Sequence, residues 1–320
     1  MILVTGGLGF IGSHTCRALL DMGERCVAAG RSAREVPGFL TPGSSTTGDR
    51  LVTERLDCTD LESVLEVGKR HEITGIVHLA AAAMGGRSPL DELQANTQAL
   101  FTILRAAREW GVTRMVVAST IGVYGGVTPA GGVYREDMPL PIGSAHTIPA
   151  HKKSAEIVAN AVSAQAGMQV VSARIGAVWG PLARPVSPFF GTPQLVHSAV
   201  NGTAIPGPLY AEDATDMCYA ADCGRALALL QTAPTLSHLT YNVGGGRSVG
   251  NREVAEAIGR AVPGTDVRGV LREGRGPYAP EADAHLDITR LRADTGFEPV
   301  YGLDRGIAGY VAWLTAGNPR

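Results

Sequence analysis

The sequence predicts an α/β fold: a doubly wound parallel sheet with a smaller lobe built from its second half. Three observations carry this. The chain opens on an apolar run, Ile2, Leu3 and Val4, that collapses into glycines and then into helical spacing over 13–22. Short runs of small and β-branched residues recur at 26–29, 51–57, 76–83 and 115–119. Helical patterns over 61–71 and 90–110 separate the later runs, as in successive βαβ units. Residues 1–176 form the sheet domain in this reading, and 177–320 form a lobe interleaved with the last strands.

Composition bounds the function. With 320 residues, 45% of them hydrophobic, the chain can bury a large core. A formal charge of −2 gives no reason to expect nucleic acid or an anionic membrane as partner. The five cysteines are odd in number and lack metal-ligand spacing, which suits buried thiols in a reducing compartment. No metal is expected. The first strand starts at residue 2 and no apolar run reaches membrane-spanning length, so a cytoplasmic protein is expected.

The first turn carries the chemistry. Gly6, Gly9 and Gly12, with Phe10 and Ile11 between, are spaced so that the backbone can approach a pyrophosphate where a Cβ would stand in the way. The helix that follows points its free amides and positive dipole end at the phosphates. The second strand ends at Gly30, where a carboxylate would hold the ribose hydroxyls of NAD. Arg31 and Ser32, with Arg34 nearby, offer instead a guanidinium fork and a hydroxyl for the 2′-phosphate of NADP, so NADP is expected over NAD. A solvated surface arginine is the plain alternative. The glycine-rich stretch 37–48 reads as a mobile excursion over the adenosine end.

Asp57, followed by Cys58, closes the third strand and faces the adenine; capping of the next helix by Thr59 or Asp60 is an equally ordinary use of this cluster. Leu79, Ala80 and Ala81 lie where the fourth strand, over 76–83, runs into small residues that let a flat cofactor lie on the backbone. His78 reads as a satisfied core histidine. Asn96 falls on the long helix, and Ala118 precedes Ser119 and Thr120 at the end of the fifth strand.

TGGLGFIG, LDCTD, VHLAA, Asn96, STIGVYG and, later, RIGAVWGP, DMCYAADCGRAL and YNVGGG occur in one order and spacing. As a set they resemble the extended short-chain dehydrogenase/reductases, the NAD(P)-dependent sugar epimerase and dehydratase group, over nearly the whole chain. The resemblance implies a Rossmann domain, cofactor contacts from Ile175 and from Lys152 to the nicotinamide ribose, and a homodimer formed by the helices near 90–110 and 150–166. It also implies a catalytic hydroxyl at Thr120, a lysine at Lys152 and a tyrosine four residues earlier. Ile148 stands there, and Pro149 precedes Lys153 by the same interval. The expected acid is missing, and such a group contributes about 10² to 10⁴ in rate. Tyr124, Tyr134, His146 and His151 are the substitutes nearby, with Tyr124 ranked first and a turn-closing structural role as its alternative.

Other departures bear on substrate. The Asp-Glu pair of family dehydratases is replaced by Ile121 and Gly122, the substrate-facing Asn by Ala177 and the phosphate-gripping Arg by Thr215. Arg275 is left as an anion contact, with an ordinary surface-loop arginine as the alternative, and Ile148, Trp179, Phe189, Phe190 and Tyr210 suggest an apolar wall, which structural packing explains as readily. The expectation is therefore an NADP(H)-dependent oxidoreductase or epimerase on a small hydroxy or carbonyl substrate, sugar-like or partly apolar. A lyase or isomerase that uses the cofactor without net turnover, and a non-catalytic NADP(H)-binding sensor or scaffold, stand as alternatives.

Overall fold

A computed structural model describes residues 1–32, 35–40, 50–82, 87–187, 189–204, 208–265, 267–276 and 283–319. The first half runs β1 (Ile2–Thr5), α1 (Phe10–Asp21), β2 (Cys26–Gly30), β3 (Leu51–Arg55), α2 (Leu61–Arg70), β4 (Gly75–His78), α3 (Pro89–Glu109), β5 (Arg114–Thr120), β6 (Val133–Tyr134), α4 (Thr147–Ala166) and β7 (Gln169–Ile175). The second half adds β8 (Ala177–Trp179), α5 (Thr192–Asn201), β9 (Leu209–Tyr210), β10 (Ala214–Tyr219), α6 (Ala220–Thr232), β11 (Thr240–Val243), β12 (Ser248–Gly250) and α7 (Asn251–Ala261). It closes with β13 (Leu271–Arg272), β14 (His285–Leu286), α8 (Thr289–Thr295) and α9 (Leu303–Thr315).

Seven strands form one parallel sheet in the order β11-β7-β5-β4-β1-β2-β3. Winding leaves β1 in both directions, so the crevice beyond the carboxyl ends of β1 and β4 is the switch point where such sheets take ligands. All four residues of β1 are buried, as expected of a strand covered on both faces. Alternation divides them. Ile2 and Val4 pack with Leu19 of α1 and Leu227 of α6, whereas Leu3 packs with Val64 of α2, Ile103 of α3 and Ala159 of α4.

The second half does not separate cleanly from the first. Its β11 pairs with β7 at the edge of the main sheet, and α6 lies against α1. A third core, with Leu195 of α5, Ile258 of α7, Tyr310 of α9 and Met217 of β10, defines the lobe proper. Trp179 belongs to that core, only 2% exposed and edge-on to Tyr219 at 5.1 Å. Among the described residues, no helix is long and apolar enough to cross a membrane.

Helix α4 begins three residues before the 150 expected from the sequence, because a proline in a first turn forfeits no intrahelical hydrogen bond. Ile148 and Pro149 are therefore helical. The strand expected over 76–83 stops at His78, where Thr5 Oγ1 accepts the Leu79 and Ala80 amides (3.1 and 3.2 Å) and meets His78 Nδ1 at 2.8 Å. His78 is thus a satisfied core histidine, and burial holds it neutral, with its pKa lowered to about 3.

Contact between α1 and α6 depends on Gly224, where a Cβ would lie 2.4 Å from the His14 carbonyl carbon. Gly224→Ala should push the helices apart and cost about 1–3 kcal/mol of stability, read as a lower midpoint in urea unfolding.

Candidate active site

The glycine turn is held by contacts that exclude side chains. A Cβ on Gly7 would stand 2.6 Å from Ala28 Cα, and one on Gly12 would stand 2.1 Å from the Gly6 carbonyl oxygen. Gly6 itself takes φ of +70°, which suits glycine. The N-cap of α1 is Gly9, with no side-chain cap, so the first-turn amides of Phe10, Ile11 and Gly12 are left for another acceptor. They open on a cavity of about 440 Å³ whose wall also includes Gly6, Arg31, Ser32, Asp57, Cys58, Leu79, Ala80, Ala81, Asn96 and Ala118. This chain's own geometry therefore fits the pyrophosphate and adenosine half of a dinucleotide.

Asn96 Oδ1 accepts the Ala82 amide at 2.8 Å and fixes the small-residue floor of this cavity. Asp57 takes the Thr59 amide and hydroxyl (2.9 and 2.8 Å), contacts that with the charges of Arg31 and Arg87 hold its carboxyl below the usual range. The cap of α2 is Asp60, which accepts from the Glu62 amide, so Asp57 is free of that duty. Gly30 leaves open space where a side chain would project, with Arg31 and Ser32 exposed beside it. Arg87 also lines this cavity and is not legible as a site residue, since the residues before the Ser88 cap carry no periodic signal. Arg34 lies outside the described residues.

The excursion at 37–48 is corrected in its first part. Leu40 is buried, Phe39 stacks on His14 at 5.0 Å, and Glu35, Val36, Pro37 and Gly38 line a different, larger cavity. Residues 41–48 lie outside the described residues.

The larger cavity, about 1130 Å³, shares Leu8, Gly9, Phe10, Ile11 and Ala118 with the first and continues toward the lobe. Thr120, Ile148, Ile175, Ala177, Phe189, Phe190 and Thr215 are on its wall. Thr120 Oγ1 accepts the Gly122 amide at 3.1 Å and keeps its own proton to donate. Of the two adjacent lysines, Lys153 is bound to the Pro141 and Gly143 carbonyls. Lys152 is half-buried with no hydrogen-bond partner among the described residues, and burial lowers its pKa to about 8. It is near enough to His78 and His151 to lower both by its charge.

Tyr124 is not a catalytic group in this structure. Its side chain is 1% exposed; the hydroxyl donates to Asn242 Oδ1 (2.9 Å) and accepts from Arg174 (2.8 Å). Arg174 in turn pairs with Glu156 at 2.7 Å, and Glu156 accepts from Ser119 at 2.5 Å. Tyr134 stacks on Tyr124 at 4.6 Å, and burial raises both phenols. His151 is buried too, its Nδ1 without a partner among the described residues and its pKa lowered to about 4 by burial. Of the four expected substitutes only His146 lines the cavity, as the N-cap of α4 with its ring stacked on Phe189 at 5.7 Å.

The expected apolar wall is also corrected in part. Trp179 is sealed in the lobe core and Tyr210 sits in β9; neither lines the cavity. Arg275 pairs with Asp283 at 2.7 Å and is likewise absent from the wall. Leu182, Arg184 and Val186 are there instead, on a turn whose composition gave no sign of facing a cavity.

The model of the NAD dependent epimerase/dehydratase family matches residues 2–244. The chain belongs to that family. Among members of the epimerase/dehydratase family it is 29% identical to a dTDP-glucose 4,6-dehydratase of Streptomyces griseus, over 98% of this chain and 93% of the relative. It is 28% identical to a probable UDP-glucuronate 4-epimerase of Rhizobium meliloti, over 97% and 96% of the two chains. The crystal structure of Thermus thermophilus UDP-glucose 4-epimerase in complex with NAD superposes with a TM-score of 0.77 at 27% identity, covering 97% of each chain.

Tyr124→Phe should leave Arg174 and Asn242 each short of a buried partner and cost about 1–3 kcal/mol in chemical unfolding. Dinucleotide affinity, measured by calorimetry on the same variant, should be unchanged.

Proposed function

We propose that this chain is an NADP(H)-dependent oxidoreductase or epimerase acting on a small hydroxy or carbonyl compound, with a proton carried by His146 in place of the usual tyrosine. The observation that carries the reading is the continuity of the two cavities. One fits a dinucleotide's adenosine and pyrophosphate, and the other brings Thr120, Ile148 and His146 to one wall. The cofactor, when bound, supplies a hydride donor or acceptor. The α1 amides hold its phosphates, and Arg31 with Ser32 meets a 2′-phosphate beside the open position at Gly30. The relatives' NAD bears on the cofactor class; the preference for the phosphorylated form comes from these residues alone.

Thr120 donates a hydrogen bond from its hydroxyl to the substrate oxygen and keeps its proton. Lys152, desolvated one turn after Ile148, holds positive charge behind the reacting centre and binds the nicotinamide ribose hydroxyls. His146 gives or takes the proton at a ring nitrogen, which an isoleucine cannot do. Ala81, Asn96 and Ile175 keep the roles the resemblance implies, as floor and wall of the cofactor site. Homodimerisation through α3 and α4 fits the exposure of Phe101 and Ile157 on those neighbouring helices.

Arg31→Ala should weaken NADP(H) by roughly 10- to 100-fold, the worth of a charge-assisted contact, and leave NAD(H) within twofold. Calorimetric titration of both cofactors checks it; equal losses would overturn the phosphate assignment. His146→Gln should slow oxidation of NADPH by a carbonyl panel by about 10²-fold or more at unchanged cofactor affinity. Adding Ile148→Tyr to that variant should restore part of the rate, whereas an unaffected His146→Gln enzyme would remove His146 from the reaction.

A further inference from the structure

We infer that the larger cavity takes an apolar ligand with one anionic end, of the class of aromatic or branched-chain hydroxy and oxo acids, its carboxylate paired with Arg184, rather than a nucleoside diphosphate sugar. The inference deepens the proposed function and depends on it for the reaction, but not for the binding. Ile148, Val178, Leu182, Val186, Phe189 and Phe190 give the cavity a hydrocarbon wall that hydroxyl-rich sugars do not match. The two positions where the family resemblance implies an amide and a guanidinium for a sugar nucleotide are on this wall, as Ala177 and Thr215. A diphosphate brought here would lose its water without those partners.

One cation stands on the apolar side. Arg184 is exposed, lines the cavity, and has no ion pair or hydrogen bond among the described residues. Its place is built rather than incidental. The turn from Gly180 closes through the Ala183 amide on the Gly180 carbonyl at 3.0 Å, and His14 Nε2 meets the Pro181 carbonyl at 3.0 Å, tying the turn to α1. Leu182 has φ of +71°, and no other non-glycine residue among those described has a positive φ. Strain of this kind persists where the surroundings hold it, and here it accompanies the presentation of Leu182 and Arg184 to the cavity. The other charged or titratable groups on the wall are Glu35, from the segment after β2, and His146. Glu35 repels an anion from its own side. Stacked at 26° to one another, the His146 and Phe189 rings add a flat apolar surface for a ring or branched chain.

The test is calorimetry on the full chain saturated with NADP⁺, which cannot reduce an oxo acid. Phenylpyruvate and ketoisocaproate are the anionic probes, phenylacetone the neutral counterpart, and UDP-glucose the nucleotide sugar. At least one oxo acid should bind, phenylpyruvate about tenfold or more tighter than phenylacetone, and UDP-glucose should give no saturable heat. Arg184→Gln should abolish the advantage of phenylpyruvate over phenylacetone while NADP⁺ affinity stays within twofold. Phe189→Ala should weaken both by one common factor. Binding of UDP-glucose in preference, failure of both oxo acids, or an advantage that survives Arg184→Gln each overturns the inference. Failure of NADP⁺ itself to bind overturns the cofactor reading instead, and the same probes on the cofactor-free chain still decide the cavity.

Discussion

The close approach of β1, its glycine turn and the start of α1 is the constraint on which the rest of the molecule depends. Neither Gly7 nor Gly12 has room for a single carbon atom: one is pressed against Ala28 of β2 and the other against the Gly6 carbonyl. That compression brings the free amides of α1 to the end of the sheet, at the strand order's point of reversal. It also fixes the height at which α1 crosses, and so where α6 can lie on it through Gly224. Binding geometry and core packing are two consequences of the same absent side chains.

A second constraint is the buried polar network beneath the reaction centre. Arg174 of β7 is satisfied by Glu156 of α4, by the Tyr124 hydroxyl and by the Glu136 carbonyl. Asn242 of β11 joins it, accepting from Tyr124 and donating to the Tyr134 and Asp287 carbonyls. Burying these groups is tolerable only because each is paired. The network anchors β5, α4, β7 and β11 around Thr120. It engages the one proton of Tyr124: a buried hydroxyl that donates to Asn242, and whose ionisation is disfavoured by burial, has no proton free for a substrate.

What the sequence made legible were the features written locally. Glycine spacing, the small residues after β4 and the hydroxyl ending β5 are each read within a few adjacent residues, and they line the two joined cavities; the lysine pair at the start of α4 is read as locally but lines neither. The place of Tyr124 in the buried network is not legible locally because its partners Arg174 and Asn242 lie 50 and 118 residues further on. The same holds for Trp179, since what seals it is Tyr219 and the close passage of Gly306. The wall at Leu182 and Arg184 was invisible for a different reason. It is made by one unusual backbone angle, and a leucine in a loop gives no warning that it will adopt φ of +71°.

On the reading proposed above, isoleucine at position 148 has two effects that act together. In the first turn of α4 it has no proton to give, and it extends the hydrocarbon wall formed with Phe189 and Phe190. A pocket drier at that point rewards apolar substrate surface and penalises any polar group without a partner. In that proposal the proton-carrying group stands at the edge of the apolar wall rather than within it. His146 meets that condition: as the N-cap its backbone is extended, at φ −157° and ψ 179°, so its ring lies outside the helix and on the cavity face, against Phe189. Under the proposal, an apolar residue at this helical position and an apolar cavity are one and the same limit on what the site can accept.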